Sequence, residues 1–244
     1  LARLARFFGV WLLWLAAVSI SRNARADALV NGGFDSGLSG WQTQGGVFPS
    51  TGVAVLAVDS FTSGLLWQSV ASIDGRFTLS FDFNNALSAS VPQGTLADSF
   101  FATLYFTDNL VTFDIAGGVF DRAISLFDLD ATGLANVTGS VGPSSKGANW
   151  SLFSLTFDNT HGFIIPAFDL RDLNLVNDDS AVALDNVTLS EVPAITQSPQ
   201  DMVVRAGNDA TFTAAASSSK ALTFQWRRGG VDIPGATQPT LTLE

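Results

Sequence analysis

Apolar and polar residues alternate along much of this chain, and that two-residue period limits its fold more than any other feature. Phe77, Leu79, Phe81 and Phe83 fall on one side of an extended segment, which is the pattern of a half-buried strand. The same alternation recurs in further runs: Phe101–Thr107, Val111–Ile115, Ala123–Leu129, Leu152–Phe157 and Val182–Leu189. After residue 26 no stretch keeps a 3.6-residue period over ten positions, so the sequence predicts an all-β protein.

Short polar turns separate these runs, and strands joined in this way pair antiparallel. The sequence holds 20 Phe residues, which suit an aromatic core between sheets. We therefore predict two antiparallel sheets packed face to face, an antiparallel β-sandwich.

The charge balance and the cysteine count exclude several classes of function. Charged residues make up 14% of the chain, against roughly 25% in ordinary soluble domains. With 12 basic and 22 acidic residues the net charge is −10, so the basic surface that a nucleic-acid partner requires is missing. The chain has no Cys, which excludes disulfides and thiolate metal sites.

The first 26 residues have the layout of a secretory signal peptide. Two arginines form a basic start, the stretch Phe7–Ile20 is apolar, and Ala24 and Ala26 supply the small residues that signal peptidase needs. We expect cleavage after Ala26 and a secreted or cell-surface location, with no membrane insertion of the mature chain. The alternative is an uncleaved anchor helix. Leu1 stands where a start methionine is usual, which indicates an unusual start codon or a fragment.

A domain boundary falls after Glu191, where two prolines lack N–H donors and suit an extended connection. We predict a first domain over residues 27–191, a linker over residues 192–199 and a second β-domain over residues 200–244.

The two ends of the first domain and one run between them form a recognisable set. They are Leu29–Trp41 with the sequence LVNGGFDSGLSGW, the run Leu66–Val70, and the closing Ala183–Leu189. In these residues the domain resembles the secreted jelly-roll modules of the galactose-binding-like class, which includes several carbohydrate-binding module families. The resemblance implies a jelly-roll β-sandwich with its first and last strands close together, and a non-catalytic domain that binds a polysaccharide or another glycan.

In such modules a structural calcium ion often ties the first strand to the last. The resemblance implies Asp35, in the opening segment, and Asp185, in the closing segment, as metal ligands. Backbone carbonyls would complete the about six to eight oxygen ligands that calcium takes, and the ion would add stability and no chemistry. The alternative is a turn aspartate that bonds its own backbone and a strand-end aspartate in solvent.

Trp67 is the first candidate for ligand binding. The residues on either side of it share one face of their strand, so Trp67 faces the other way, and an indole offers a flat platform for the apolar face of a sugar ring. The alternative is a Trp67 packed between the sheets. Tyr105, whose hydroxyl can make a polar contact, is the second candidate. The resemblance places Trp41 and Trp150 in the core.

The second domain has three segments that match one known family: Gly207–Ala214, Leu222–Trp226 and Ile233–Leu243. It resembles a bacterial immunoglobulin-like domain, with these segments as strands B, C and E and with Trp226 as the core tryptophan. The chain stops at Glu244, before the later strands of that fold. We therefore expect a truncated domain and further sequence in the natural protein.

No arrangement of catalytic residues is apparent. The single histidine, His161, lies in a turn, and the chain has no nucleophile elbow, metalloprotease helix or phosphate-binding loop. Its two glutamates are Glu191, at the domain boundary, and the terminal Glu244, which do not suggest the paired carboxylates of a glycosidase. We expect no enzyme within this chain and no organic cofactor.

These observations favour an exported non-catalytic module that binds carbohydrate and carries an immunoglobulin-like spacer. Two alternatives stay open, because a fold alone does not decide a function. One is a structural or adhesive cell-surface protein with no sugar ligand. The other is a set of accessory domains from a larger secreted hydrolase.

Overall fold

The computed structural model describes residues 29–58, 63–72, 74–87, 96–173, 180–205, 207–218 and 221–244. The predicted signal peptide, residues 1–26, lies outside the described residues. Within them, one compact unit ends at Glu191 and the other covers Val192–Glu244. The described residues form no helix with the length and apolar character that a membrane crossing requires.

The first unit is built from strands joined by turns and loops. In chain order they are β1 (Gln42–Gly45), β2 (Val47–Pro49), β3 (Ala54–Ala57), β4 (Gly64–Trp67), β5 (Val70–Ala71), β6 (Gly75–Ala86), β7 (Ser99–Thr107), β8 (Arg122–Asp130), β9 (Gly133–Ala135), β10 (Ser140–Pro143), β11 (Trp150–Asn159), β12 (Phe163–Arg171) and β13 (Ala181–Val192).

These strands form two antiparallel sheets. One has seven strands in the order β1-β4-β12-β7-β8-β9, with β5 paired to β12 beyond the end of β4. The other has six strands in the order β10-β11-β6-β13-β3-β2. The prediction of an all-β, antiparallel sandwich is confirmed.

The core lies between the two sheets and is largely aromatic. Phe81 of β6 stacks on Phe153 of β11, with ring centroids 5.0 Å apart. It also meets Phe168 of the opposite sheet edge-on at 4.9 Å. Phe83 and Phe127 join the two sheets as well, with tilted rings whose centroids lie 5.0 Å apart. Each such pair stabilises the fold by about 0.5–1.5 kcal/mol beyond the burial of its surface.

Only one of the two tryptophans expected in the core lies there. Trp41 is buried, with its ring 5.3 Å from that of Phe34. Trp150 is half-buried and does not belong to the core cluster, so that prediction is wrong. The reason is its register in β11, where Phe153 faces the core and Trp150 therefore falls on the outer face.

Strand β12 is central in its sheet, yet the alternation did not predict it. Its first residues are continuously apolar and include Pro166, which normally marks an edge strand. The Pro166 carbonyl accepts a hydrogen bond from Gln68 N at 3.3 Å, and the N–H that proline lacks would point to the same side. On that side β4 has ended at Trp67 and β5 begins only at Val70, so no strand bond is lost.

The run Val111–Ile115 was predicted as a strand, and this is wrong. It belongs to the segment that joins β7 to β8, residues 108–121, which we call the β7–β8 loop. An isolated bridge between Asp114 and Val119 closes a turn there, with N···O distances of 3.0 and 2.8 Å. Phe113 and Ile115 of the run lie against the outer face of the seven-stranded sheet, whereas Val111 is 94% exposed, and none of the three belongs to the core.

The second unit consists of three strand pairs, β14–β16, β15–β19 and β17–β18. Its strands are β14 (Ala194–Gln197), β15 (Ala210–Thr213), β16 (Ala215–Ser217), β17 (Arg227–Arg228), β18 (Val231–Asp232) and β19 (Thr240–Leu243). Trp226 is buried with Phe212 and Ala214. The predicted strand at Leu222–Trp226 is absent, since the extended structure starts at Arg227, and membership of the immunoglobulin-like family stays a prediction.

Candidate functional site

Trp67 lies on the outer face of the seven-stranded sheet. Its neighbour Leu66 is fully buried in the core, and side chains alternate along a strand, so the indole points away from the core. Across the sheet Trp67 pairs with Gln42 of β1 and Ala167 of β12. The indole is half-buried, with the small Ala167 on one side and an amide on the other.

A groove of about 440 Å³, which we call the Trp67 groove, runs beside this indole. Its lining includes Gln42, Gln44, Leu65, Asp114 and Ile115. The two glutamine side chains and Asp114 are exposed. The groove therefore combines a flat aromatic wall with amide and carboxylate groups that donate to and accept from hydroxyls.

Tyr105 of β7 faces the same side of the sheet. It pairs with Ile165, and its ring packs against two rings of the β7–β8 loop, Phe120 at 4.9 Å and Phe113 at 6.1 Å. Burial raises the pKa of the Tyr105 hydroxyl, although a hydrogen bond with Thr103 opposes the rise. The hydroxyl is therefore protonated at neutral pH and can donate a hydrogen bond.

A second groove of about 400 Å³ surrounds Tyr105, and we call it the Tyr105 groove. Phe101, Thr103 and Asp169 contribute to its walls. Leu65 and Ile115 line both grooves, so the two lie side by side on one face. The structure thus brings the two predicted ligand-binding residues to one surface, and their role in binding stays a prediction.

Asp169 is a polar group of this face that the sequence analysis did not identify. Its side chain is only 17% exposed, and Arg171 Nε donates a hydrogen bond to Asp169 Oδ2 at 2.7 Å. Burial raises the pKa of Asp169, and the nearby Arg171 opposes part of that rise. A carboxylate held in this way is a hydrogen-bond acceptor in the wall of the Tyr105 groove.

A signal for Asp169 was available in the sequence. If Phe163–Arg171 is taken as a strand, its alternation places Ala167, Asp169 and Arg171 on one side and Phe168 with Leu170 on the other. Pro166 obscured that strand, and the side chains that it carries were missed with it.

The predicted metal ligands lie where the opening segment meets β13. Asp35 is exposed and Asp185 is buried. A Cβ on Gly33 would lie 3.7 Å from Asp35 Oδ2 and 4.0 Å from Asp185 Oδ1, so both carboxylates flank this glycine. Lys146 Nζ contacts Asp185 Oδ2 directly. Calcium at these residues stays a prediction.

A second set of possible metal ligands occurs at the start of the β7–β8 loop. Ligand atoms of Asp108, Asp121 and His161 all lie within 4.8 Å of one another. A hydrogen bond from Gly162 N, with the His161 contact, lowers the pKa of Asp108. Asp121 Oδ2 accepts from Asp108 N at 2.7 Å. These contacts fix the loop to the turn before β12, and a metal ion would have to displace some of them.

Comparison with known proteins gives a short match in sequence and a broad likeness in fold. No family model matches the chain. Over 55 residues it is 47% identical to Endoglucanase C of Cellulomonas fimi, a match that covers 21% of this chain and 5% of that enzyme. The chain therefore spans about 5% of the length of this curated relative.

Among solved structures, similarity extends over about two thirds of the chain. The enzymatically active domain of bacteriophage CBA120 tailspike protein 4 is 14% identical, with a TM-score of 0.44, and the match covers 68% of this chain and 21% of that one. TmCBM61 in complex with β-1,4-galactotriose is 16% identical, with a TM-score of 0.40, and the match covers 69% of this chain and 100% of that one. Lectin I-B4 from Griffonia simplicifolia is 12% identical, with a TM-score of 0.42, and the match covers 66% of this chain and 97% of that one.

Proposed function

We propose that this chain is an exported, non-catalytic protein that binds a glycan on the outer face of its seven-stranded sheet. The observation that carries the proposal is the joint position of Trp67 and Tyr105. Their side chains lie in adjoining grooves that share Leu65 and Ile115, so one extended ligand can contact both.

The two grooves offer the groups that a sugar needs. An indole presents a large apolar surface, and burial of an aromatic side chain against a ligand dominates many binding energies. Gln42, Gln44 and Asp169 supply amides and a carboxylate along the same face, which suits hydroxyl groups. The net charge of −10 favours a neutral glycan over an acidic one because like charges repel.

The remaining parts of the proposal concern the rest of the chain. We infer that residues 1–26 direct export and that the second unit is an immunoglobulin-like spacer, whose first strand, β14 (Ala194–Gln197), falls within the predicted linker over residues 192–199. The location would then be extracellular, in solution or at the cell surface. The spacer would hold the binding face away from whatever the chain is attached to.

A second candidate function is that of accessory domains in a larger secreted hydrolase. The 47% identity over 55 residues to Endoglucanase C favours it, since the matched relative is itself an enzyme of much greater length. The two candidates agree on the binding face and differ in what the natural protein carries besides it.

The experiment is a glycan array with the full chain, followed by affinity electrophoresis in a polysaccharide that the array identifies. Trp67→Ala should weaken retardation at least about tenfold, the loss typical of a central aromatic contact. Phe48→Ala is the matched control, because Phe48 is an exposed aromatic residue of the other sheet, 47% exposed. Equal retardation of both variants would overturn the site, and a folded chain that binds no glycan would favour a structural or adhesive role.

A further inference from the structure

The opening segment of the first domain closes onto its last strand through close backbone contact. Val187 N donates to the Gly32 carbonyl at 2.9 Å. The approach leaves no room for a side chain, since a Cβ on Gly32 would lie 1.8 Å from the Val187 carbonyl oxygen. Asp185, two residues earlier in β13, therefore lies at the point where the two ends of the domain meet.

Asp185 is a buried carboxylate with a partner on each oxygen. Its side chain is 7% exposed, and Lys146 Nζ contacts Oδ2. Asp185 Oδ1 accepts a hydrogen bond from the backbone N of Asn186 at 2.6 Å. The side-chain Nδ2 of Asn186 donates to Asp82 Oδ2 at 2.8 Å. Because a buried charge is tolerated only when it is paired, the ammonium of Lys146 is what makes this carboxylate compatible with the fold.

Two further contacts fix Lys146 in this position. Its Nζ lies 4.8 Å from the ring centroid of Trp150, which is favourable for a cation over an aromatic face. Its backbone N donates to Ser144 Oγ at 3.0 Å, which shapes the loop between β10 and β11. The Lys146 ammonium thus lies over the face of Trp150, the outward-facing first residue of β11.

This arrangement does not fit the predicted calcium ion. Calcium takes about six to eight oxygen ligands, whereas Asp185 Oδ2 already faces an ammonium group. The other oxygen, Asp185 Oδ1, already accepts the hydrogen bond from Asn186 N at 2.6 Å.

We propose that Lys146 is a tethered cation that takes the place predicted for calcium. It neutralises Asp185 where the opening segment meets β13, and it makes the stability of the first domain independent of free calcium. Removing the ammonium leaves the buried Asp185 carboxylate without a counter-charge, and opens the position of the ammonium to a divalent cation from solution. This inference does not depend on glycan binding.

The test is thermal unfolding of the full chain in chelator and in millimolar calcium. The wild-type midpoint should be the same in both. Lys146→Met keeps an unbranched apolar side chain without the ammonium group, and its midpoint in chelator should fall by more than about 5 °C. Calcium should raise that midpoint by several degrees, and should not do so in the control variant Lys146→Met with Asp185→Asn.

Two results would overturn the proposal. One is a wild-type midpoint that falls in chelator, which would show that calcium holds the closure. The other is a Lys146→Met variant that unfolds at the wild-type temperature and ignores calcium. If Lys146→Met does not fold, calorimetric titration of calcium into the wild-type chain decides, since saturable binding that Asp185→Asn abolishes would contradict a site filled by lysine.

Discussion

Arg171 Nε donates a 2.7 Å hydrogen bond to Asp169 Oδ2 within the Tyr105 groove. The two residues are neighbours on one face of β12, and they differ in exposure, 17% for the carboxylate side chain and 56% for the guanidinium side chain. The Asp169 carboxylate is thus largely removed from water, while the Arg171 guanidinium is exposed to solvent. This geometry gives the groove one strongly polar point among Phe101, Tyr105 and Leu65.

Asp169 should make stability depend on pH in a direction opposite to that of an ordinary ion-paired acid. Burial raises its pKa in the folded state, above a value of about 3.9 in the unfolded chain. The folded state therefore holds the proton more tightly, so this group's contribution to the free energy of unfolding is complete below about pH 4 and is lost as the pH rises through the folded pKa.

Asp169→Asn removes that dependence. In urea unfolding between about pH 3.5 and pH 7, the stability of the variant relative to wild type should increase with pH. The other carboxylates are common to both proteins and cancel in the difference. Parallel stability curves across this interval would show that Asp169 has the same pKa folded and unfolded.

Tyr105→Phe should separate the hydroxyl from the ring. The phenyl group keeps its packing on Phe113 and Phe120, so the melting temperature should stay close to that of wild type. Loss of one hydrogen bond to the ligand should lower glycan affinity about 2- to 10-fold. Affinity electrophoresis measures this, and Tyr105→Ala, which also loses the ring, should bind more weakly still. Unchanged affinity in both variants would place the ligand away from the Tyr105 groove.

Gly32→Ala tests the contact between the opening segment and β13. A Cβ at this position meets the Val187 carbonyl oxygen, and relieving such overpacking costs about 1–3 kcal/mol. Gly142→Ala is the control, because a Cβ there has no atom within 4 Å. Urea unfolding should show destabilisation of Gly32→Ala alone, and equal stability of the two variants would mean that the segment is not held against β13.

The fold could be predicted wherever one side of a strand is buried and the other is not. Phe77, Leu79, Phe81 and Phe83 face the core and the residues between them do not, so the period of two survives in the sequence. The strand Phe163–Arg171 could not be predicted in this way. Its outward-facing Ile165 is also fully buried, so the start of the strand is continuously apolar and shows no alternation. The order of strands across each sheet depends on pairings between distant residues, which local alternation does not encode.

Prediction of the candidate site was limited in the same way. The outward direction of Trp67 follows from its own strand, because Leu66 must face the core. The proximity of Trp67 to Tyr105 depends on β12 lying between β4 and β7, and that strand was not predicted. The walls from the β7–β8 loop were missed because Val111–Ile115 has the alternation of a strand while its bridge between Asp114 and Val119 closes a turn.

Inward-facing and outward-facing side chains alternate along β4 and β12, and this separates the effects of substitutions at neighbouring positions. Leu66 and Phe168 face inward and hold the sandwich together, whereas Trp67 and Asp169, one position along, face outward into the grooves. Adjacent positions in the chain thus have different structural roles, one in the core and the next on the outer face. Substitutions at outward, groove-lining positions such as Trp67 and Asp169 should therefore leave the packing between the sheets unchanged, whatever ligand the grooves bind.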